Sequence, residues 1–224
     1  MAILKTTTCH KHGHPEFHLT YDPKLVPVES DRKWLIQWLE ESVADGSRFL
    51  PGQTCQFGLM ITKVHLAEDG SLSLLEPDMQ AMPVVWVECV SHTLAQLRLQ
   101  KDVVESVLSA SHLSFPSLRQ SALICSRLRE NIDLVMERLN SSGNDSGWFF
   151  GCRGEDHDHN RVDELKRVSL YEAAVRYLRQ IVPYLAMPEN VLIGLIDSVP
   201  TIFHNGEPLE FKPGSFLAMR YSKK

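Results

Sequence analysis

The segment 144–154 constrains the fold more than any other part of the sequence. It reads Asn-Asp-Ser-Gly-Trp-Phe-Phe-Gly-Cys-Arg-Gly, so that turn-forming residues lead into aromatic residues and glycines follow. Asn, Asp, Ser and Gly tolerate left-handed or self-capped backbone, which predicts a tight turn ending at Gly147. Trp148, Phe149 and Phe150 suit a pleated, half-buried surface and predict a short strand. The run that follows, Glu155 to Asp158, is too polar for a core, so a buried anchor is predicted beside an exposed charged loop.

This segment resembles the hallmark of the "DSGW" family of bacterial immunity-protein domains, which was first catalogued as a domain of unknown function and often lies beside polymorphic toxins. The resemblance covers roughly residues 118–221. The family usually has a basic residue between its Trp and Phe, whereas here Phe149 follows Trp148 directly. Four further segments resemble the family's first strand, its second strand, its Gly-Glu-Asp and its closing segment: residues 122–126, 133–138, 154–156 and 214–220.

The resemblance implies a cognate immunity protein that binds and neutralises a secreted toxin or effector of a type VI or related contact-dependent system. Direct inhibition needs a pre-organised, charge-complementary surface and no turnover, so we expect neither catalytic residues nor a cofactor. An acidic surface would fit the basic cleft that many enzymatic toxins have. The expected partner contacts are Glu155, Asp156, His157 and Asp158, together with Glu76 and Asp78 of the N-terminal half.

Two alternatives stay open from the sequence. Carboxylates and imidazoles between Asp156 and His159 are suitable ligands for Zn or Mn in a metal-dependent hydrolase, although adjacent loop residues seldom converge on one ion. The second alternative is a scaffold protein with no toxin partner. Asp145 and Ser146 resemble a nucleophile, but no base is indicated. We therefore interpret Asp145, Ser146, Gly147 and Trp148 as a structural motif whose turn aims the indole inward.

Composition indicates an ordinary globular protein without a transmembrane run or a signal peptide, which predicts a cytoplasmic location. Residues 1–116 carry nine basic and fourteen acidic residues, for a net charge of −5, and residues 117–224 are neutral. An acidic surface disfavours nucleic acid and anionic membranes as partners. The cysteines are scattered and never form a Cys-x-x-Cys pair, so we expect reduced thiols rather than a disulfide scaffold or a structural zinc site. Metal binding by the N-terminal Cys9, His10, His12 and His14 is an open question.

Hydrophobic periodicity predicts an α+β fold of two small α/β sandwiches, each with a mainly antiparallel sheet packed by one or two helices. The predicted order is a polar, histidine-rich segment (1–16), an N-terminal domain (17–110), a linker (111–117) and an immunity-type domain (118–224). In the first domain we expect one strand over 54–64. In the second we expect strands over 122–126 and 132–139, the aromatic strand, and a long helix over 169–186 that starts with a Ser-x-x-Glu capping box.

Overall fold

A computed structural model describes residues 1–128, 133–153, 157–159 and 161–221, and the fold is α+β with mainly antiparallel sheets. Contacts within the chain divide it into two compact units, Met1–Arg98 and Leu99–Lys224. The division falls inside a helix, whereas the sequence analysis places a linker at 111–117. Among the described residues, none of the helices has the length and apolar character needed to cross a bilayer.

The first unit combines a two-stranded and a four-stranded sheet with one complete helix. The expected single strand over 54–64 is wrong, because Gly58 adopts a left-handed backbone (φ 59°) and turns the chain into a hairpin. The elements are β1 (Ala2–Lys5), β2 (His18–Tyr21), α1 (Glu29–Ala44), β3 (Thr54–Phe57), β4 (Met60–Leu66), β5 (Leu72–Pro77) and β6 (Trp86–Val87), and α2 (Ser91–Glu105) begins here.

Helix α1 supplies one side of the first core. Its residues Leu35, Leu39 and Val43 recur at helical spacing and are fully buried, together with Phe17 and Leu74 from the strands. Residues 1–16 are part of this unit, since β1 pairs with β2 and the buried Cys9 belongs to the same core.

The second unit is built on one seven-stranded sheet. Its strands are β7 (Ser121–Cys125), β8 (Leu134–Arg138), β9 (Asp145–Cys152), β10 (Leu165–Ser169), β11 (Val191–Ile196), β12 (Val199–His204) and β13 (Glu207–Leu209). Their order is β10-β7-β9-β8-β11-β12-β13. Every neighbouring pair is antiparallel except β7 and β9, which run parallel. The carboxyl ends of β7 and β9 therefore lie at the same edge of the sheet, which is where the candidate site forms.

The predicted long helix over 169–186 is interrupted. Ser169 caps it as expected, with its Oγ accepting a hydrogen bond from the Glu172 amide (3.0 Å), and α3 (Leu170–Glu172) begins there. The chain continues as one π-helical turn (Ala173–Tyr177), leaves helical geometry at Leu178, and resumes as a 3₁₀ helix that contains Pro183. Proline lacks an amide donor and its ring clashes with the preceding turn, so a regular α-helix cannot run through this position. A short α4 (Phe216–Tyr221) follows the last strand.

Candidate functional site

The turn that opens β9 is fixed by its own side chains. Asp145 Oδ1 accepts a hydrogen bond from the Gly147 amide (3.0 Å). Ser146 Oγ accepts one from the Trp148 amide (3.3 Å) and donates one to the Ser121 carbonyl (2.7 Å). Gly147 has a φ of 76°, and a Cβ at this position would lie 2.2 Å from the carbonyl oxygen of Leu139. Only glycine fits both the backbone conformation and the space.

This turn directs Trp148 into the interior of the second unit. The residue is 1% exposed, its ring stacks on Phe150 at 5.7 Å, and its Nε1 donates to the Leu185 carbonyl (3.3 Å). A buried indole needs such an acceptor for its single donor. The Arg138 guanidinium lies 5.8 Å from the indole, in cation–π range.

Arg138 is buried as well, at 2% exposure. Its hydrogen-bond partners are backbone carbonyls and not a carboxylate. Its guanidinium donates to the carbonyls of Ser146, Ser114 and Met187. Burial lowers the pKa of Arg138 to about 10, and the more distant Glu189 opposes this effect. The side chain stays charged at neutral pH and ties the start of β9 to two other segments, so the aromatic strand has one well-defined position.

The opposite face of the seven-stranded sheet is only partly covered. Side chains alternate along each strand, so the neighbours of the buried residues point the other way. One row crosses the sheet on this side through direct register partners: Leu123, Phe149, Glu137, Leu192 and Phe203. Leu192 is 40% exposed, and Ile196 on the same strand and side is 42% exposed. We call the row and Ile196 the open face. Apart from Glu137 this surface is apolar, and a partly exposed apolar sheet surface is typical of a protein-binding surface.

The loop after β9 contains four of the predicted partner contacts. Glu155 and Asp156 lie outside the described residues. His157 is half-buried and Asp158 is exposed. His159 lies next to the open face, since its ring contacts that of Phe149 edge-on at 6.1 Å.

The two predicted contacts in the first unit have different surroundings. Glu76 is 1% exposed, and its carboxylate accepts hydrogen bonds from the amides of His92 and Thr93 at the start of α2. A carboxylate there satisfies unpaired helix amides and complements the helix dipole, so Glu76 has a structural role in this conformation. Asp78 is half-buried, and its Oδ1 accepts a bond from the Gln80 amide (2.8 Å).

A compact group of cysteines and histidines lies at the edge where β7 and β9 end. Cys125 Sγ is 3.8 Å from Cys152 Sγ and 3.1 Å from His157 Nε2. Cys152 Sγ lies 3.4 Å from the Nε2 atoms of both His157 and His159. The four potential ligand atoms are all within 4.8 Å of one another, and the two cysteines are buried. We call these four residues the Cys/His cluster.

The environment of Cys125 favours a thiolate. Burial on its own raises the pKa of this thiol, but hydrogen bonding outweighs the effect and lowers the pKa below its usual value. The bonds involve the Arg127 amide, which donates to Sγ (3.4 Å), and the neighbouring His157 and Cys152.

Sequence reasoning missed the Cys/His cluster because Cys125 and Cys152 are far apart in the chain. The spacing Cys152-x₄-His157-x-His159 was the available signal. This spacing contains only three potential ligands. The fourth, Cys125, comes from the neighbouring strand through the parallel pairing of β7 with β9. The N-terminal Cys9, His10, His12 and His14 do not form such a group among the described residues.

A model of a known protein family matches part of the chain. Residues 99–198 match the model of the Imm33-like domain, a domain of immunity proteins, and this region contains the turn, the buried anchor and the Cys/His cluster. No curated protein and no solved structure matches the chain. The match supports an immunity-protein family for this part of the chain, without identifying the DSGW family in particular.

Proposed function

We propose that this protein is an immunity protein that binds a toxin or effector protein and neutralises it by direct contact. The observation that carries the proposal is the Imm33-like match over residues 99–198. Such a toxin would be delivered by a type VI or related contact-dependent system, and the immunity protein would act in the cytoplasm of the protected cell. For the same region we also propose a finer assignment, to the DSGW family, on the basis of the motif at residues 145–148.

The open face and the adjoining loop form the proposed toxin-binding surface. Leu192 and Ile196 provide exposed apolar area, and Phe149 and Phe203 provide half-buried aromatic area that a partner would cover. Desolvated apolar and aromatic anchors contribute most of the binding free energy at protein interfaces. Asp158 lies in the adjoining loop, where a carboxylate speeds association with a basic partner.

The buried anchor explains how such a surface is held in shape without a ligand. Trp148 and Arg138 fix β9 from the inside, so Phe149 on the opposite side of the same strand has one position. A surface that is already ordered loses less conformational entropy on binding. All the contacts expected from the sequence stay in the proposal except Glu76, whose carboxylate caps helix α2.

The test uses the product of the neighbouring toxin or effector gene. Co-purification with the full-length chain, followed by calorimetry, measures the affinity of the wild-type protein and of Leu192→Lys and Asp158→Lys. We expect Leu192→Lys to weaken binding by about 100-fold or more, because it inserts a charge into a desolvated apolar patch. Asp158→Lys should weaken binding about tenfold, mainly through slower association at low salt.

Matched controls exist in the first unit. Leu66 is 51% exposed on β4, and Glu68 is exposed in the following turn. Leu66→Lys and Glu68→Lys make the same chemical changes at residues that are not part of the open face, and they should leave the affinity unchanged. Absence of any complex with the neighbouring toxin would contradict the proposed function. Equal affinity for Leu192→Lys and the wild type would contradict the proposed surface.

A further inference from the structure

We propose that the Cys/His cluster is a structural zinc site, in which Cys125, Cys152, His157 and His159 are the four ligands. The proposal rests on the convergence of two sulfur atoms and two imidazole nitrogens on one small volume. The evidence for the ion is the geometry of these four side chains, so it stands whether or not the protein binds a toxin.

Four of the six distances between the ligand atoms are close to those around a tetrahedral ion. Zn–S bonds of about 2.3 Å and Zn–N bonds of about 2.0 Å place two sulfurs about 3.8 Å apart, and a sulfur and a nitrogen about 3.5 Å apart. The Cys125–Cys152 sulfur distance is 3.8 Å, and three of the four sulfur–nitrogen distances are 3.1 Å, 3.4 Å and 3.4 Å. The remaining sulfur–nitrogen pair and the nitrogen–nitrogen pair are within 4.8 Å. A disulfide would need the two sulfurs about 2.05 Å apart. The spacing is therefore that of two ligands around one ion.

The ligand types select the metal. Two thiolates and two imidazoles in a tetrahedral arrangement favour Zn²⁺, whereas Mg²⁺, Ca²⁺ and Mn²⁺ prefer oxygen ligands. The Arg127 amide donates to Cys125 Sγ, and such a hydrogen bond stabilises the negative charge of a metal-bound thiolate. No carboxylate is a member of the cluster that the described residues form.

A closed ligand set argues for a structural ion and against a hydrolase. Catalytic zinc sites keep one position for water or substrate, whereas four protein ligands fill the tetrahedral shell. The two histidines that the sequence analysis considered for a hydrolase are thus used together with two buried cysteines.

The topology explains what the ion would stabilise. Cys125 is the last residue of β7 and Cys152 the last residue of β9, and these strands are parallel neighbours. His157 and His159 belong to the loop that follows. One ion would join the ends of both strands to the loop and would hold His159 against Phe149.

The first experiment measures bound metal in the full-length protein, purified without a polyhistidine tag and dialysed against metal-free buffer with a reductant. We expect about one zinc ion per chain by plasma mass spectrometry. The double variants Cys125→Ser/Cys152→Ser and His157→Asn/His159→Asn should lose it. Cys55→Ser and His65→Asn are matched controls outside the cluster and should keep it.

The second experiment needs no variant, so it holds even if the cysteine variants fail to fold. Zinc is removed with a chelator and Co²⁺ is titrated in. Tetrahedral coordination by two thiolates gives intense visible d–d bands and a near-ultraviolet sulfur-to-cobalt transition. Bound metal should also slow alkylation of Cys125 and Cys152 about tenfold or more, because a metal-bound thiolate is a poor nucleophile and is shielded.

Each result decides the proposal. Stoichiometric zinc with a two-thiolate cobalt spectrum supports it. Folded wild-type protein that binds neither Zn²⁺ nor Co²⁺ overturns it, and so does a cobalt spectrum without the sulfur transition. A Cys125–Cys152 disulfide in protein purified under reducing conditions would also overturn it, since the sulfurs would then be unavailable as ligands.

Discussion

Replacing Gly147 by alanine should destabilise the second unit far more than the same change at another left-handed glycine. Gly147 has a φ of 76° and Gly206 a φ of 82°, so alanine is strained at both positions. The left-handed conformation costs a non-glycine residue about 1–2 kcal/mol. At Gly206 nothing lies within 4 Å of the added Cβ, so this strain is the whole expected effect.

At Gly147 the added Cβ would also meet the Leu139 carbonyl oxygen at 2.2 Å, and that oxygen belongs to the backbone. The start of β9 must then move away from β8. The movement breaks the hydrogen bond from the Leu139 amide to the Gly147 carbonyl (2.9 Å) and disturbs the Arg138 bond to Ser146. Each buried group left unsatisfied costs about 1–3 kcal/mol. The expected loss of unfolding free energy is therefore about 4 kcal/mol or more, compared with about 1–2 kcal/mol for Gly206→Ala.

Urea unfolding followed by circular dichroism measures both variants, and hydrogen exchange of peptides from β8 and β9 assigns the change to this unit. We expect faster exchange in β8 and β9 for Gly147→Ala and wild-type exchange there for Gly206→Ala. If the two variants lose the same free energy within about 0.5 kcal/mol, the close backbone approach does not determine the choice of glycine.

Two further predictions concern charged side chains that are held by hydrogen bonds to the backbone. Arg138→Met should lower the unfolding free energy by about 3 kcal/mol or more, because three carbonyls lose their hydrogen-bond donor. Thermal unfolding measures this loss. A loss below about 1 kcal/mol would contradict the role given to the guanidinium. Burial alone would raise the pKa of Glu16, but hydrogen bonds from Thr6, His10 and Cys9 outweigh it and lower the pKa from 4.5 to about 2. Because the folded-state pKa is depressed, the stabilisation is complete above pH 4.5 and is lost as the pH falls toward 2. Glu16→Gln should remove this part of the acid sensitivity in melting temperatures measured between pH 6 and pH 2.5, and an unchanged pH dependence would refute the assignment.

Much of the local structure could be predicted from the sequence because its signals are local. Helix α1 follows from apolar residues at helical spacing, and the cap at Ser169 follows from a serine with a glutamate three residues later. The interruption of the helix at Leu178 was harder to predict from the sequence. Pro183 indicated where a regular helix must stop, but the π-helical turn before it depends on how this segment packs in the unit.

The DSGW motif shows which contacts can be predicted from neighbouring residues and which cannot. Turn chemistry alone indicated that Asp145 and Ser146 bind backbone amides and that Trp148 points inward. It gave no indication that Arg138 lies beside the indole and binds three carbonyls from separate segments. That contact depends on the antiparallel pairing of β8 with β9, which places Arg138 opposite Trp148.

The aromatic strand, its tight turn and the polar loop that follows could be predicted from the sequence, since they depend on residues that are neighbours in the chain. The meeting of Cys125 with Cys152 and the two histidines, and of Leu192 with Phe149 on one open face, follows only from the way the chain folds. Both follow from strand order and register. Strand pairing brings together residues that are distant in sequence, and two parallel strands end at the same edge of their sheet.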